Sequence, residues 1–568
     1  MSRKRSRWKS VCLSYSSKSV VKERPLTRPA DTLSPPGGER DGVRGSFDAN
    51  ALFPLVFGLF LGLAIWKFGN PVVLDHTIRP PVSLAEWWAD AWPTRWSNWL
   101  LLPLALVGGW LALAGKPRWP ATRWLWLLPL LWFGWQLLSA THTVDAYLTR
   151  TTLWQLGGCV ACYFLGALVV GRGLPWLLAG VLAAFTLCLV RAVDQRLFEF
   201  PASRALLLEG ERVGWTNMPP QALREMRLDN TIVTTNNFVA LKSAVIARYF
   251  TPEALREMQE GGVNVVARTV ADTNEIVAVS ARFLAPDQFS KLKRDGVVVS
   301  TNGVDVINPA MFNRIAKGRV MGTLVYPNAL AGVILLLLPV SLALAFNSTR
   351  QMKPPIRGAV IVMTCLLGGL GLFWSGSKAG WLLALALAGI WLLRLNWPRR
   401  LKWVTLATIL AVGLAVFALR FHSYFTTGAT SVGARFDYWR AAVQTTMANP
   451  VFGTGPGTFQ RPYAQIKSPD AEMARMTHND YLEQFSDSGI VGGLGYAAWV
   501  VLALVTVGRR VWRSGGYLRF GLFLGLLGWF VQGLVEFSLY VPALAWTAFT
   551  LLGCQLRHRF QDRSQSLG

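Results

Sequence analysis

Apolar stretches of about 20 residues recur from residue 51 almost to the C-terminus, and a run of that length is what a helix needs to cross about 30 Å of hydrocarbon. Backbone surrounded by lipid must satisfy its own hydrogen bonds, so these runs are expected to be helices. The expected spans are 51–68, 98–114, 123–139, 153–170, 174–193, 324–346, 357–374, 379–393, 401–419, 489–507, 517–535 and 539–556. The fold class that follows is an all-α polytopic membrane protein of about twelve transmembrane helices, interrupted by an inserted extracytoplasmic α+β repeat domain. A chain that is 52% hydrophobic with 26 tryptophans in 568 residues fits the same class and argues against a soluble multidomain protein.

A net charge of +26 would suggest a nucleic-acid partner if the basic residues formed one patch. Instead they alternate with the spans. Arg3, Lys4, Arg5, Arg7 and Lys9 precede the first, and Lys116 and Arg118 follow the second. Arg350, Lys353 and Arg357 follow the sixth, Arg394, Arg399, Arg400 and Lys402 the eighth, and Arg509, Arg510, Arg513 and Arg519 the tenth. Arg557, Arg559 and Arg563 close the series. This positive-inside pattern is expected to put both termini in the cytoplasm and the long polar interruptions outside. Residues 1–50 read as a basic, disordered cytoplasmic tail with no cleavable signal peptide. Five of the six cysteines fall in expected spans, and the Cys159-Val-Ala-Cys162 spacing fits either a redox or zinc motif or, more simply, small residues at a helix contact.

The segments are expected to divide as follows: 51–193, a first bundle of about five helices; 194–318, an extracytoplasmic α+β domain; 319–419, helices six to nine; 420–488, an extracytoplasmic catalytic loop; 489–556, helices ten to twelve; and 557–568, a cytoplasmic tail. Within 194–318 an internal repeat is visible in "PQALREMRLDNTIV" from Pro220, "PEALREMQEGGVNV" from Pro252 and "PDQFSKLKRDGVVV" from Pro286. Each copy has Pro at a helix start, a Gly/Asn/Asp stop and an alternating strand, so three helix-plus-hairpin units are expected, with strands near 238–250 and 276–284. Its mixed charges fit a spacer or a partner-binding surface.

The loop 420–488 holds the chemistry-bearing residues. "ARFDYWRAAVQTTMANP", 434–450, places Phe436, Trp439, Arg440 and Val443 at helical spacing with Arg435 one turn before Trp439. This reads as an amphipathic helix lying at the membrane surface. "GTGPGTF", 453–459, lacks the terminal Lys-Ser/Thr of a phosphate loop and reads as a tight turn. In "MTHND" Thr477 fits an N-cap with Asp480 three residues on, which would put His478 in the first helical turn, where the helix dipole favours a neutral, proton-accepting ring. A structural histidine is the competing reading.

His478-Asn479 followed by Gly489-Ile-Val-Gly492 resembles the signature of the O-antigen ligase and polymerase superfamily of bacterial membrane glycosyltransferases. Further elements look alike in the same order: "GTLVYPNALAG" from Gly322, "SGSKAGWL" from Ser375, Arg435 with Trp439, "NPVFGTGPGTF" from Asn449 and "EFSLYVPA" from Glu536. The resemblance covers residues 319 to the C-terminus. It implies a metal-independent glycosyltransferase in the bacterial inner membrane. The donor would be a polyprenyl-diphosphate-linked glycan, the acceptor a lipid, glycan or protein hydroxyl, and no cofactor would be needed. Carried over by motif, His478 would be the general base and Arg435, Lys378 and Arg319 the diphosphate ligands, with Asn479, Trp439, Gly455 and Glu536 in support. Lys378 stands where the superfamily usually has Arg after Ser, so a bidentate fork is lost there and Arg319 is the candidate to compensate. A polymerase, a protein O-oligosaccharyltransferase and a non-catalytic carrier for a lipid-linked sugar or small anion are the alternatives. The near absence of ionisable residues in mid-span disfavours the carrier.

Overall fold

The computed structural model describes residues 49–557 except 116–122, 202–317 outside six strands, 423–429, 469–472 and 515. The basic tail, most of the repeat segment and the C-terminal tail of the sequence reading lie outside the described residues. What is described is mostly helical.

Helix α1 (Ala49–Lys67) lies along α6 (Leu174–Asp194). Between them come a short α2 (Leu84–Ala89), then α3 (Thr94–Ala114), α4 (Trp124–Ser139) and α5 (Ala146–Leu165). After the repeat segment, α7 (Pro327–Ser348), α8 (Pro354–Ser375), α9 (Lys378–Arg394) and α10 (Arg399–Arg420) follow in sequence. Two helices of the polar loop, α11 (Thr430–Ala448) and α12 (Gln460–Ile466), lead to α13 (Asp480–Ser514), α14 (Tyr517–Gln532) and α15 (Pro542–Leu556). Helix α15 packs on α5, α7 on α14, and α4 on α13. One apolar core results, holding Trp132, Trp499, Trp529 and Trp546. At the other extreme, α10 buries only Gly413 and exposes Val404 and Leu419, as a helix facing lipid does.

Every expected span coincides with a helix, yet the expected count of about twelve crossings is not reached by length and apolarity. Among the described residues seven helices are long and apolar enough: Thr94–Ala114, Ala146–Val170, Leu174–Glu199, Pro327–Ser348, Pro354–Ser375, Arg399–Arg420 and Asp480–Arg513. Ala51–Lys67, Tyr517–Gln532 and Pro542–Leu556 are apolar but shorter. At 1.5 Å per residue a helix of that length falls a few Å short of about 30 Å.

The six strands of the repeat segment form one sheet in the order β1-β2-β4-β3-β6-β5, with β1 (Ile232–Thr235), β2 (Phe238–Lys242), β3 (Asn264–Thr269), β4 (Ile276–Arg282), β5 (Val298–Thr301) and β6 (Val304–Ile307). β1 with β2, β3 with β4 and β5 with β6 pair as antiparallel hairpins, β2 meets β4 antiparallel, and β3 meets β6 in parallel. The helices expected between them lie outside the described residues, so an inserted α+β domain is not established.

Helix α11 leaves Phe436 and Val443 exposed and buries Tyr438, Ala441, Ala442 and Thr445, because small residues on that face let it pack against α13. One local expectation is corrected. Thr477 is not the N-cap of α13. Asn479 is, its Oδ1 accepting from the N–H groups of Tyr481 and Leu482 at 3.0 Å each. His478 therefore precedes the helix rather than sitting in its first turn. Helix α13 itself breaks at Ser488 (φ −131°) and Gly489 (φ 69°), a left-handed step that glycine takes without strain. A polar first section is thereby set off from the apolar one that follows.

Candidate functional site

The turn before α13 is gripped from several directions. The Thr477 hydroxyl accepts from the Asn479 N–H at 3.1 Å and donates to the Asn479 carbonyl at 2.8 Å. The Thr477 N–H donates to Glu483 Oε2 at 2.6 Å, and Trp439 Nε1 donates to the Thr477 carbonyl at 3.1 Å. Held this way, His478 adopts φ 53°, making it the one non-glycine residue with positive φ among those described. Such a conformation is costly and persists only where the surroundings enforce it. The imidazole lies between Phe537 and Tyr438, with ring centroids 4.7 Å and 6.0 Å away.

Glu536 is the centre of the arrangement. It belongs to the connection between α14 and α15, which is tied to the start of α13. The Asp480 N–H reaches the carbonyls of Gly533 (2.7 Å) and Glu536 (3.1 Å), and the Asp480 carboxylate accepts from the Leu539 N–H at 3.1 Å. Glu536 is only 2% exposed. Its Oε1 accepts from Arg435 Nη2 at 2.7 Å and from Asn328 Nδ2 at 2.6 Å. Its Oε2 faces His478 Nδ1 at 3.6 Å, and these two buried atoms have no other hydrogen-bond partner among the described residues. A shift of a few tenths of an ångström would close that hydrogen bond.

Asn328 passes the link on to Arg319, whose Nη2 donates to Asn328 Oδ1 at 2.9 Å while its Nε donates to the Ser375 carbonyl at 2.7 Å. Burial pulls the Arg319 guanidinium below the usual arginine value. Glu536 opposes the shift, and the nearby Arg420 and Arg435 reinforce it. Two further guanidiniums, Arg420 and Arg435, thus lie near Arg319, and with Glu536 the four groups carry a net charge of +2. Lys378, the first residue of α9, lies with its Nζ 5.4 Å from the Phe421 ring, which Arg420 also covers at 5.7 Å. Lys378 and Arg420 thus share the Phe421 ring.

The structure therefore brings His478 and Arg435 to Glu536, with Arg319 linked to it through Asn328 and with Asn479 and Trp439 shaping the turn. Gly455 stands apart from the imidazole. It braces the loop behind it, its N–H donating to the Asp487 carbonyl at 2.9 Å.

Sequence reasoning missed Arg420, Asn328 and Tyr326; the Tyr326 hydroxyl is buried with no hydrogen-bond partner among the described residues. It missed as well the buried acids Asp480, Glu483 and Asp487, although their i, i+3, i+7 spacing on one helix face was a usable signal. Among the described residues no group of three or more His, Cys, Asp or Glu is arranged to hold a metal ion.

Residues 363–497 match the O-antigen ligase family. That stretch is similar to an O-antigen ligase domain. It contains Lys378, Arg420, Arg435 and His478, whereas Arg319, Asn328 and Glu536 lie outside it. An uncharacterized protein of Haemophilus influenzae is 28% identical over 192 residues, covering 29% of this chain and 46% of that protein. The chain thus spans about half the length of that relative.

Proposed function

We propose that this chain is a glycosyltransferase that moves a glycan from a polyprenyl-diphosphate carrier to an acceptor hydroxyl at the outer face of the inner membrane. The observation that carries the reading is the buried Glu536 carboxylate, with Arg435 on one oxygen and His478 Nδ1 facing the other. A carboxylate on Nδ1 fixes the imidazole tautomer and leaves Nε2 free to take a proton. The acceptor oxygen gives its proton to Nε2 and forms the new bond to the anomeric carbon. The bond from that carbon to the diphosphate oxygen breaks, and the electron pair leaves with the carrier.

Arg435 uses one nitrogen on Glu536 and keeps other N–H donors for the diphosphate. Arg319, Arg420 and Lys378 add positive charge where the leaving group becomes more anionic. Diphosphate departs without a general acid, and in the proposed step these cationic side chains, rather than a metal ion, meet its developing charge.

In this reading the helices at all twelve expected spans cross the bilayer, the shorter ones accommodated by buried packing and local thinning. Both termini are then cytoplasmic and the His478 turn extracytoplasmic, which is where a lipid-linked glycan awaits transfer.

The test is His478→Ala at matched expression, with lipid-linked and surface glycans read by mass spectrometry. Build-up of full-length lipid-linked chains is expected. Build-up of single repeat units would assign polymerisation instead, and an unchanged profile would remove the transferase reading.

A further inference from the structure

A groove of about 620 Å³ opens between α3, α4 and α5, away from His478. It follows α5 from Ala146 to Ala161, about 22 Å of helix. Its walls are apolar, with Ala105 from α3, Phe133 from α4 and Gly157 from α5. At its polar end it joins a second cavity of about 270 Å³ through the shared residues Asn98, Leu102, Arg150 and Trp154.

The second cavity contains two arginines and one acid. Asp75 is already engaged, accepting from the Thr94 hydroxyl at 2.7 Å and the Arg95 N–H at 3.1 Å, with Arg95 Nη1 a further 3.8 Å away. Arg150 forms no ion pair among the described residues. The cavity therefore carries one uncompensated positive charge. Trp99 and Trp154 beside it are 72% and 55% exposed, the placement of tryptophans that sit at a membrane–water interface.

We propose that this groove binds a phosphate-bearing acyl lipid of the bilayer, with one acyl chain along α5 and its phosphodiester between Arg95 and Arg150. A single surplus charge matches a phosphodiester monoanion and underserves a polyprenyl diphosphate, which carries more negative charge. The depth agrees as well: the charged end lies at the tryptophans and the apolar end runs toward mid-bilayer.

The rim of the groove is bonded to the catalytic loop. Thr149 Oγ1 donates to the Pro456 carbonyl at 3.1 Å, the Val144 N–H to Thr454 O at 3.0 Å, and the Thr454 N–H to Ser486 O at 3.2 Å in the first section of α13. A lipid seated here would lie in the same leaflet as the His478 turn and beside its supports.

The test is native mass spectrometry of the full-length protein titrated with dioleoyl phosphatidylglycerol, dioleoylglycerol or a polyprenyl diphosphate. One bound phosphatidylglycerol is expected, with dioleoylglycerol at background, and about tenfold weaker binding in Ala161→Phe, which fills the groove. Arg150→Gln alters an exposed side chain and leaves the packing intact; the same loss is expected. Equal phosphatidylglycerol binding by the wild type and both variants would overturn the proposal. So would binding of dioleoylglycerol as tight as that of phosphatidylglycerol, or displacement of phosphatidylglycerol by the polyprenyl diphosphate. His478→Ala should bind the lipid like the wild type, which separates this inference from the transfer reaction.

Discussion

Glu536 does two jobs with one carboxylate, and that makes its replacement informative. Glu536→Gln keeps the shape, and an amide oxygen can still accept from Arg435 and Asn328, but the charge facing His478 Nδ1 is gone. Loss of an orienting carboxylate should lower turnover by about 10²- to 10⁴-fold. Because both residues act on the same proton, the double variant Glu536→Gln/His478→Ala should be no slower than His478→Ala alone. Initial rates in proteoliposomes check this, and multiplicative losses would mean the two act separately. Arg435→Lys keeps the charge but loses the fork, so donor affinity should weaken by roughly tenfold, the equivalent of about 1.5 kcal/mol for a charge-assisted hydrogen bond. An unchanged donor KM would remove Arg435 from the diphosphate site.

At the scale of elements, the turn "GTGPGTF" turns out to be a brace rather than a site. Gly455 has φ 101°, and a Cβ there would stand 2.4 Å from Thr143 Oγ1, while the Gly457 N–H donates to Asp487 Oδ2 at 2.6 Å. Gly455→Ala should cost about 1–3 kcal/mol of local strain, visible as a lowered melting temperature together with reduced activity. An unaltered melting curve would show the loop adapts. The same loop region is pinned at α5 through Asp145, which pairs with Arg461 at 2.6 Å. Burial alone would raise the Asp145 carboxyl, but hydrogen bonds from the Leu148 N–H, Arg461 and the Tyr147 N–H outweigh it and hold the group below the usual carboxylate range. A depressed folded value means that the stabilisation is complete above the ordinary value near ~3.9 and is lost as pH falls through the folded one. The difference in melting temperature between wild type and Asp145→Asn should therefore shrink as pH drops below about 4, and a difference that stays constant would contradict the pairing. Thr143 and Asp145 were invisible as partners of 453–461 in the sequence, because roughly 300 residues separate them and no local pattern encodes such a contact.

For the whole molecule, orientation decides whether the proposed chemistry has a substrate. In a variant lacking the native cysteines, His478→Cys should react in intact cells with a maleimide that cannot cross the membrane; labelling only after lysis would place the turn on the cytoplasmic side. The amino-acid sequence by itself placed the apolar runs that form helices, ordered the motifs from residue 319 onward and nominated His478, Arg435, Arg319 and Glu536 as a proposed site. Each of these is written locally, in hydrophobic run length or in short motifs. It misplaced the N-cap by two residues, since Thr477 and Asn479 are both good caps and only the contacts of Trp439 and Glu483 with Thr477 select between them. Only the tertiary structure decided that one carboxylate joins His478 to Arg435, that Arg420 and Asn328 belong beside them, and that the buried face of α11 is the one with small residues. Those outcomes depend on which side chains meet across helices far apart in sequence, where burial and complementary charge act and local spacing carries no record of them.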